Sequence, residues 1–398
     1  MKITLAATLR HYDKKNFIKD LLAGIIIMAV SIPISMGYAQ IAGLPAVYGL
    51  YGSVFPILIF ALFSTSPQFI FGVDAAPAAL IGSALLSLHI ESGSEEAMAV
   101  VPVLTFFVAL WLLVFYIMKA GKLVNYISAP VMGGFITGIC TTIILMQVPK
   151  LMGGSAGTGE FFELAEHIIK TAKDINWQSV VLGLAALVLL LVCKKLIPKF
   201  PMAVLLMIAG AGMTYLLPIE DWGVQTLASV DTGLPRWAVP DFSVISIREA
   251  VTISLSVAVV IMAETLLAEN NFAQKNGYRI NDNQEILAFS MGNFLAAFTG
   301  CCPINGSVSR TAMGEQYQAK TQLTGIIAGL SMIIVLVCAT GFIGYLPVPV
   351  LTAIVISALL GATEFDLAAR LFKVSRTECL IFFGAFFGVL LLGTINGV

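Results

Sequence analysis

Charge is scarce in this sequence. Of its 398 residues, 11% are Asp, Glu, Lys or Arg, where soluble domains carry about 25%. A soluble globular chain is excluded on that ground, and a net charge of −1 offers nothing to nucleic acid. Histidine is scarcer still: the three, His11, His89 and His167, fall in terminal or loop regions. No His-Glu-x-x-His element occurs, and an intramembrane enzyme has little support. None of the six cysteines (Cys140, Cys193, Cys301, Cys302, Cys338, Cys379) has metal-ligand spacing with histidine. They read as free, small apolar residues, and neither a metal nor a resident cofactor is expected.

What is present is apolar. Hydrophobic residues make up 58% of the chain, with 35 glycines and 16 prolines, a mix common in membrane spans. The basic segment Met1 to Lys19 carries no cleavable signal and is expected on the cytoplasmic side of a plasma membrane. Spans follow at about Leu21–Tyr38 (broken near Pro33), Tyr48–Phe63, a short third from Asp74 to Leu88, Val100–Ile117, Tyr126–Met146, Val180–Val192 and Phe200–Leu217. A second set follows at Val251–Ala268, Ile286–Phe298, a short tenth from Ser309 to Gln318, Leu323–Leu346, Val348–Leu360 and Leu380–Leu392. The chain stops a few residues into an expected fourteenth span. The first half is placed at about 20–217 and the second at about 247–398. FFELAEHIIK and Glu364 to Lys373 read as amphipathic surface segments. Sixteen of the 22 Lys and Arg then fall on the cytoplasmic side, a positive-inside pattern. It holds only if both short segments cross the membrane.

Elimination leaves four charged residues at membrane depth or at the edge of a broken helix: Asp74, Glu264, Arg310 and Glu315. Such residues are costly in lipid and face a cavity or a partner. Arg310 lies in PINGSVSRTAMG, among Ser307, Ser309 and Thr311, after the turn signal Asn305-Gly306. Ser307 or Ser309 can cap a helix starting there. A helix beginning inside the bilayer presents unsatisfied N–H groups and a positive dipole end. With a guanidinium and hydroxyls beside it, that is an anion site; a plain lock between helices is the alternative use of the arginine. Glu264, well inside its span, is placed to bind a coupling cation, carry a proton or balance Arg310, or else to serve as a structural ion pair. Asp74 reads as an N-cap with Pro77 in the first turn. Glu315 is expected to reach water.

Asp74–Leu80, DAAPAAL, opens the short third segment as Ser309 opens the tenth. Interrupted segments in matching places of two halves point to an inverted-repeat transporter. Small residues at both N-termini let backbone N–H groups approach one ligand, although they also serve close helix packing.

PISMGYAQIAGLPAVYGLYGSVFPILIFALFSTSP, from Pro33 to Pro67, resembles the signature region of the SulP, or sulfate-permease, family, and AVYGLYGS carries the match. It departs at Ile34, Phe60, Ser64 and Pro67. FGVDAAPAAL resembles the motif opening the family's third span, with Val73 in place of a proline. Asn283 to Gly325, with SRTA and KTQ, is the nearest match. The resemblance implies an all-α polytopic fold of fourteen spans in seven-plus-seven inverted repeats. These divide into a core domain (spans one to four and eight to eleven) and a gate domain. It implies an anion held between the third and tenth spans by Tyr38, by the backbone of Ala75 and Ala76, and by Ser309, Arg310 and Thr311, with Glu264 taking a proton or a sodium ion. It further implies alternating access, a homodimer and a cytoplasmic STAS domain, which this sequence lacks, so the chain reads as a piece of a longer protein. Sulfate, bicarbonate, chloride, oxalate and small dicarboxylates all suit such a site, by symport or by exchange. Three rivals stay open: a channel-like conduit, a voltage-responsive membrane protein on the same scaffold, and a nucleobase-type transporter of the same fold.

Overall fold

The structure is a computed structural model describing residues 4–10, 12–122, 128–155, 157, 161–197, 200–227, 233–338 and 340–392. Tyr126, His11, Asp231 and the start of the expected fourteenth span lie outside the described residues. In lipid, backbone groups must be satisfied within the segment, and that makes each apolar run a helix. The helices are α1 (Phe17–Ile41), α2 (Val47–Gly52), α3 (Phe55–Phe63), α4 (Ala75–Ser87), α5 (Glu95–Ile117), α6 (Ala129–Leu151), α7 (Phe161–Thr171), α8 (Trp177–Leu196) and α9 (Met202–Leu216). After them come α10 (Ile247–Asn276), α11 (Asp282–Phe298), α12 (Val308–Gln316), α13 (Leu323–Cys338), α14 (Val348–Ala362), α15 (Phe365–Val374) and α16 (Arg376–Leu392). Among the described residues, six helical stretches are long and apolar enough to cross a membrane by length and composition. Others, α4, α9 and α13 among them, are apolar but shorter.

The expected break at Pro33 does not occur: α1 runs through it. Ser31 to Ala39 are all buried, and neighbouring structure holds the helix together across the missing N–H. The second span breaks instead, at Ser53-Val54, where α2 ends and Pro56 opens α3. The AVYGLYGS stretch owes its glycine at 49 to close packing, since a Cβ there would sit 1.9 Å from the Ser35 carbonyl oxygen of α1. Both amphipathic segments are helices, α7 and α15, and Leu164 is the buried residue of α7.

Asn305-Gly306 is not a turn. It is strand β2 (Asn305–Gly306), paired antiparallel with β1 (Phe71–Gly72) in the register Phe71↔Gly306 and Gly72↔Asn305. Phe71 stacks on both Phe60 of α3 and Phe289 of α11, with ring centroids 4.6 and 5.5 Å away. That stack seats the ribbon; such ring pairs contribute about 0.5–1.5 kcal/mol each beyond area burial.

The chain divides into two compact units, each made of two separate chain segments. One is Met1–Ala129 with Leu234–Ile333, the other Pro130–Gly233 with Ile334–Val398. The boundary near 333 falls inside α13, within the eleventh span rather than after it. In the first unit α11 packs on α3 and α5, and α1 on α2, α4 and α12. In the second, α14 packs on α8 and α9, and α15 on α16.

Candidate anion-binding site

The ribbon dictates where the two short helices begin. β1 leads through Val73 and Asp74 directly into α4, and β2 leads through Ser307 directly into α12. Antiparallel chains leave a ribbon in opposite directions, so α4 and α12 depart on opposite sides, each with its first turn beside the strands. The positive ends of both helices and their orphan N–H groups are thereby gathered around one point.

Arg310 bridges the two beginnings. It is fully buried one turn into α12. Its Nη2 donates to the Val73 carbonyl at 2.6 Å and lies 3.6 Å from Asp74 Oδ2, too far for a hydrogen bond. Nε and Nη1 are buried with no hydrogen-bond partner among the described residues. Gly72 makes the room: a Cβ there would stand 3.0 Å from Nη1. Tyr38, buried on α1, lies within electrostatic reach of the guanidinium.

Asp74 is the N-cap of α4, as expected, and accepts from the Ala75 N–H at 2.7 Å. The N–H expected to face a ligand at Ala75 is therefore taken. Pro77 has none, which leaves Ala76 as the orphan donor of that turn. On α12, Ser307 stands at the N-cap but makes no side-chain cap hydrogen bond. Its hydroxyl lies 3.4 Å from that of Ser309, which is half-buried. The hydroxyl of Thr311 faces the ribbon instead, accepting from Ile70 N–H at 3.0 Å and donating to the Ser307 carbonyl at 2.7 Å. It fastens α12 to the chain leading into β1.

Glu264 is half-buried on α10 and accepts from Asn305 Nδ2 at 2.8 Å. Its neighbour Thr265 accepts from the Gly306 N–H at 3.1 Å. α10 thus holds β2 at both residues, with Asp74 within electrostatic reach of Glu264. Tyr38, Asp74, Glu264 and Arg310 all meet around the ribbon, inside a single unit. Glu315 does not simply reach water: Lys275 Nζ lies 2.6 Å from one oxygen and Asn276 Nδ2 bonds the other.

Several supporting residues carry no strong sequence signal. The KTQ stretch ties the site down from behind. Gln322 Nε2 donates to the carbonyls of Ser66 and Phe69, each at 2.8 Å. Lys320 and Thr321 donate backbone N–H groups to Asp20. Asp20, Glu269 and Glu285 are buried acids that elimination by membrane depth passes over. All three stand near helix ends that the sequence assigns to polar flanks.

The sequence profile of the sulfate permease family matches residues 17–385. A probable sulfate transporter of Mycobacterium tuberculosis is 29% identical over 389 residues, covering 98% of this chain and 69% of that protein. The overall structure of SLC26A9 matches with a TM-score of 0.89 at 23% identity, over 98% of this chain and 64% of that one. The transmembrane domain of the cyanobacterial bicarbonate transporter BicA matches at 0.86 and 19%, over 97% and 98%. At such identities the structural likeness is one of fold, and the chain spans less than two thirds of SLC26A9. The named relatives are transporters rather than enzymes.

Proposed function

The chain belongs to the sulfate permease family, and from that membership we propose that it is a secondary active transporter of small anions, sulfate- or bicarbonate-like, working by alternating access. One observation carries the reading. A fully buried guanidinium with two unspent nitrogens stands beside the first turns of two helices that start on either side of one ribbon. Burying such donors without partners is expensive, and an anion supplies the acceptors. Orphan N–H groups at Ala76, Ser309 and the Arg310 backbone add to the cradle. Tyr38 completes its wall.

Charge balance supports a coupled cation. Asp74 lies beside Arg310 and within electrostatic reach of Glu264, so one cation and two carboxylates share the cluster. With both ionised the cluster is already negative by one charge, and an incoming anion adds to it. Uptake of a proton or sodium ion at Glu264 offsets that, which favours cation-coupled transport over a simple anion leak. The whole cradle lies in one unit, so a movement of that unit carries the site intact from one side of the membrane to the other. The two separate chain segments in each unit suit a seven-plus-seven inverted repeat. The basic first segment suits a cytoplasmic N-terminus in a plasma membrane, and a homodimer accords with the family.

The experiment is uptake into proteoliposomes with a panel of labelled anions, sulfate and bicarbonate among them, under imposed proton and sodium gradients. Saturable uptake that responds to one of the gradients supports the reading. Non-saturable currents would make it a conduit.

A further inference from the structure

Among the described residues, three fully buried carboxylates lie outside the anion site: Asp20, Glu269 and Glu285. Two are well supplied. Asp20 accepts from the N–H groups of Lys320 and Thr321 and from the hydroxyls of Thr321 and Thr324. Glu285, on α11, accepts from the Ser64 hydroxyl at 2.8 Å, the Thr65 N–H at 2.6 Å and the Thr65 hydroxyl. Glu269, on α10, has no hydrogen-bond partner on either oxygen among the described residues.

The groups around Glu269 are acidic or neutral. The Glu285 carboxyl lies within hydrogen-bonding reach, and Asp282 of α11 acts on it from further away. Asp282 is engaged by Asn270 Nδ2 at 3.1 Å. Tyr278, in the connection from α10 to α11, also faces it; burial pushes that phenol up to about 12, so it stays neutral. Lys275 is occupied by Glu315. Two ionised carboxylates side by side out of water are strongly unfavourable, and no cation among these groups relieves them.

A single proton resolves both difficulties. An O–H on Glu269 donates to Glu285, which gives Glu269 its missing partner and leaves Glu285 ionised for its three donors. The geometry points to a proton-binding site formed by Glu269 with Glu285, separate from Glu264 and filled from water. Glu269 stands five residues beyond Glu264, about 7.5 Å along the axis of α10. Glu285 grips Ser64 and Thr65, the start of the segment that runs into β1. Loss of the proton sets two like charges against each other where that segment is held, so pH acts on the ribbon by a route independent of Glu264.

Infrared spectroscopy of the purified full chain tests this without relying on transport. The C=O band of a protonated carboxyl is separable from the bands of an ionised one. At neutral pH, Glu269→Gln loses a protonated-carboxyl component that Glu264→Gln retains. Glu285→Gln loses the same component, because its amide can donate to Glu269 in place of the proton; this variant keeps the test open should Glu269→Gln fail to fold. The wild-type melting temperature falls as pH rises and the proton leaves, and it falls less steeply in Glu269→Gln, where Glu264 still titrates. A protonated-carboxyl band unchanged in both variants, or a pH dependence of melting in Glu269→Gln equal to that of the wild type, overturns the assignment.

Discussion

Arg310 on α12 donates from Nη2 to the carbonyl of Val73, 2.6 Å away on the chain leading into α4. A side chain from one short helix is thus fastened to the backbone entrance of the other, 237 residues earlier. The bond uses one nitrogen of the fork. The remaining donors are held in place rather than consumed, which suits a group that must be rigid and still have N–H groups to offer.

Arg310→Ala should abolish saturable anion uptake while leaving folded protein. The Val73 carbonyl loses its donor and Asp74 its counter-charge, which costs about 1–3 kcal/mol of stability. Arg310→Lys keeps the charge without the planar fork and should retain binding weakened about tenfold or more, or about 1.4 kcal/mol. Uptake kinetics together with melting of the purified protein separate the two losses. Normal saturable uptake by the alanine variant would remove Arg310 from the mechanism.

Gly72→Ala tests the room behind the guanidinium. The added methyl would meet Nη1 at 3.0 Å, Nη2 at 3.4 Å and Cζ at 3.5 Å. Because Nη2 is tethered to Val73, the head group cannot retreat freely. Anion affinity should drop about tenfold, equivalent to about 1.4 kcal/mol, with a smaller change in melting. Calorimetric titration with the preferred anion reads the effect directly; an unaltered dissociation constant would show that the guanidinium adjusts.

Glu264→Gln preserves an acceptor for Asn305 but cannot take up a cation. Uptake should lose its response to the imposed proton or sodium gradient, while equilibrium binding of the anion persists. A gradient response equal to that of the wild type would place the coupling elsewhere.

Gln322→Ala removes the donor that serves both Ser66 and Phe69. Two carbonyls are left short of a partner beneath the ribbon, at about 1–3 kcal/mol for a buried unsatisfied group. Gln322→Glu should be worse, because acceptors then face acceptors. Thermal unfolding in detergent ranks the two, and a melting temperature equal to that of the wild type in both would mean water replaces the amide.

Much of this arrangement is readable in the sequence because lipid is an unforgiving solvent. Arg310 and Glu264 stand out for one reason: each is charged within an apolar neighbourhood. Asp74 is legible as a cap from the alanines and proline that follow it. The ribbon is not, since two-residue strands are too short to show alternation, and Asn-Gly has the chemistry of a turn. Glu269 and Glu285 escape notice because polar neighbours, Asn270 and Asn271 or Asp282 to Gln284, mark them as flanking loop. Tertiary folding buries them regardless. The role of Gln322 depends on carbonyls more than 250 positions away, and no local pattern announces that.

Connections between helices ordinarily absorb insertions and deletions with little harm. The one from Phe71 to Asp74 has no such slack. Its two paired residues are anchored at one end by stacked rings and at the other by a helix that begins immediately. Along a strand successive residues face opposite ways. One residue gained or lost there would turn position 72 away from Arg310 and shift Asp74 off the start of α4. Over evolutionary time this stretch can trade side chains but is barred from changing length.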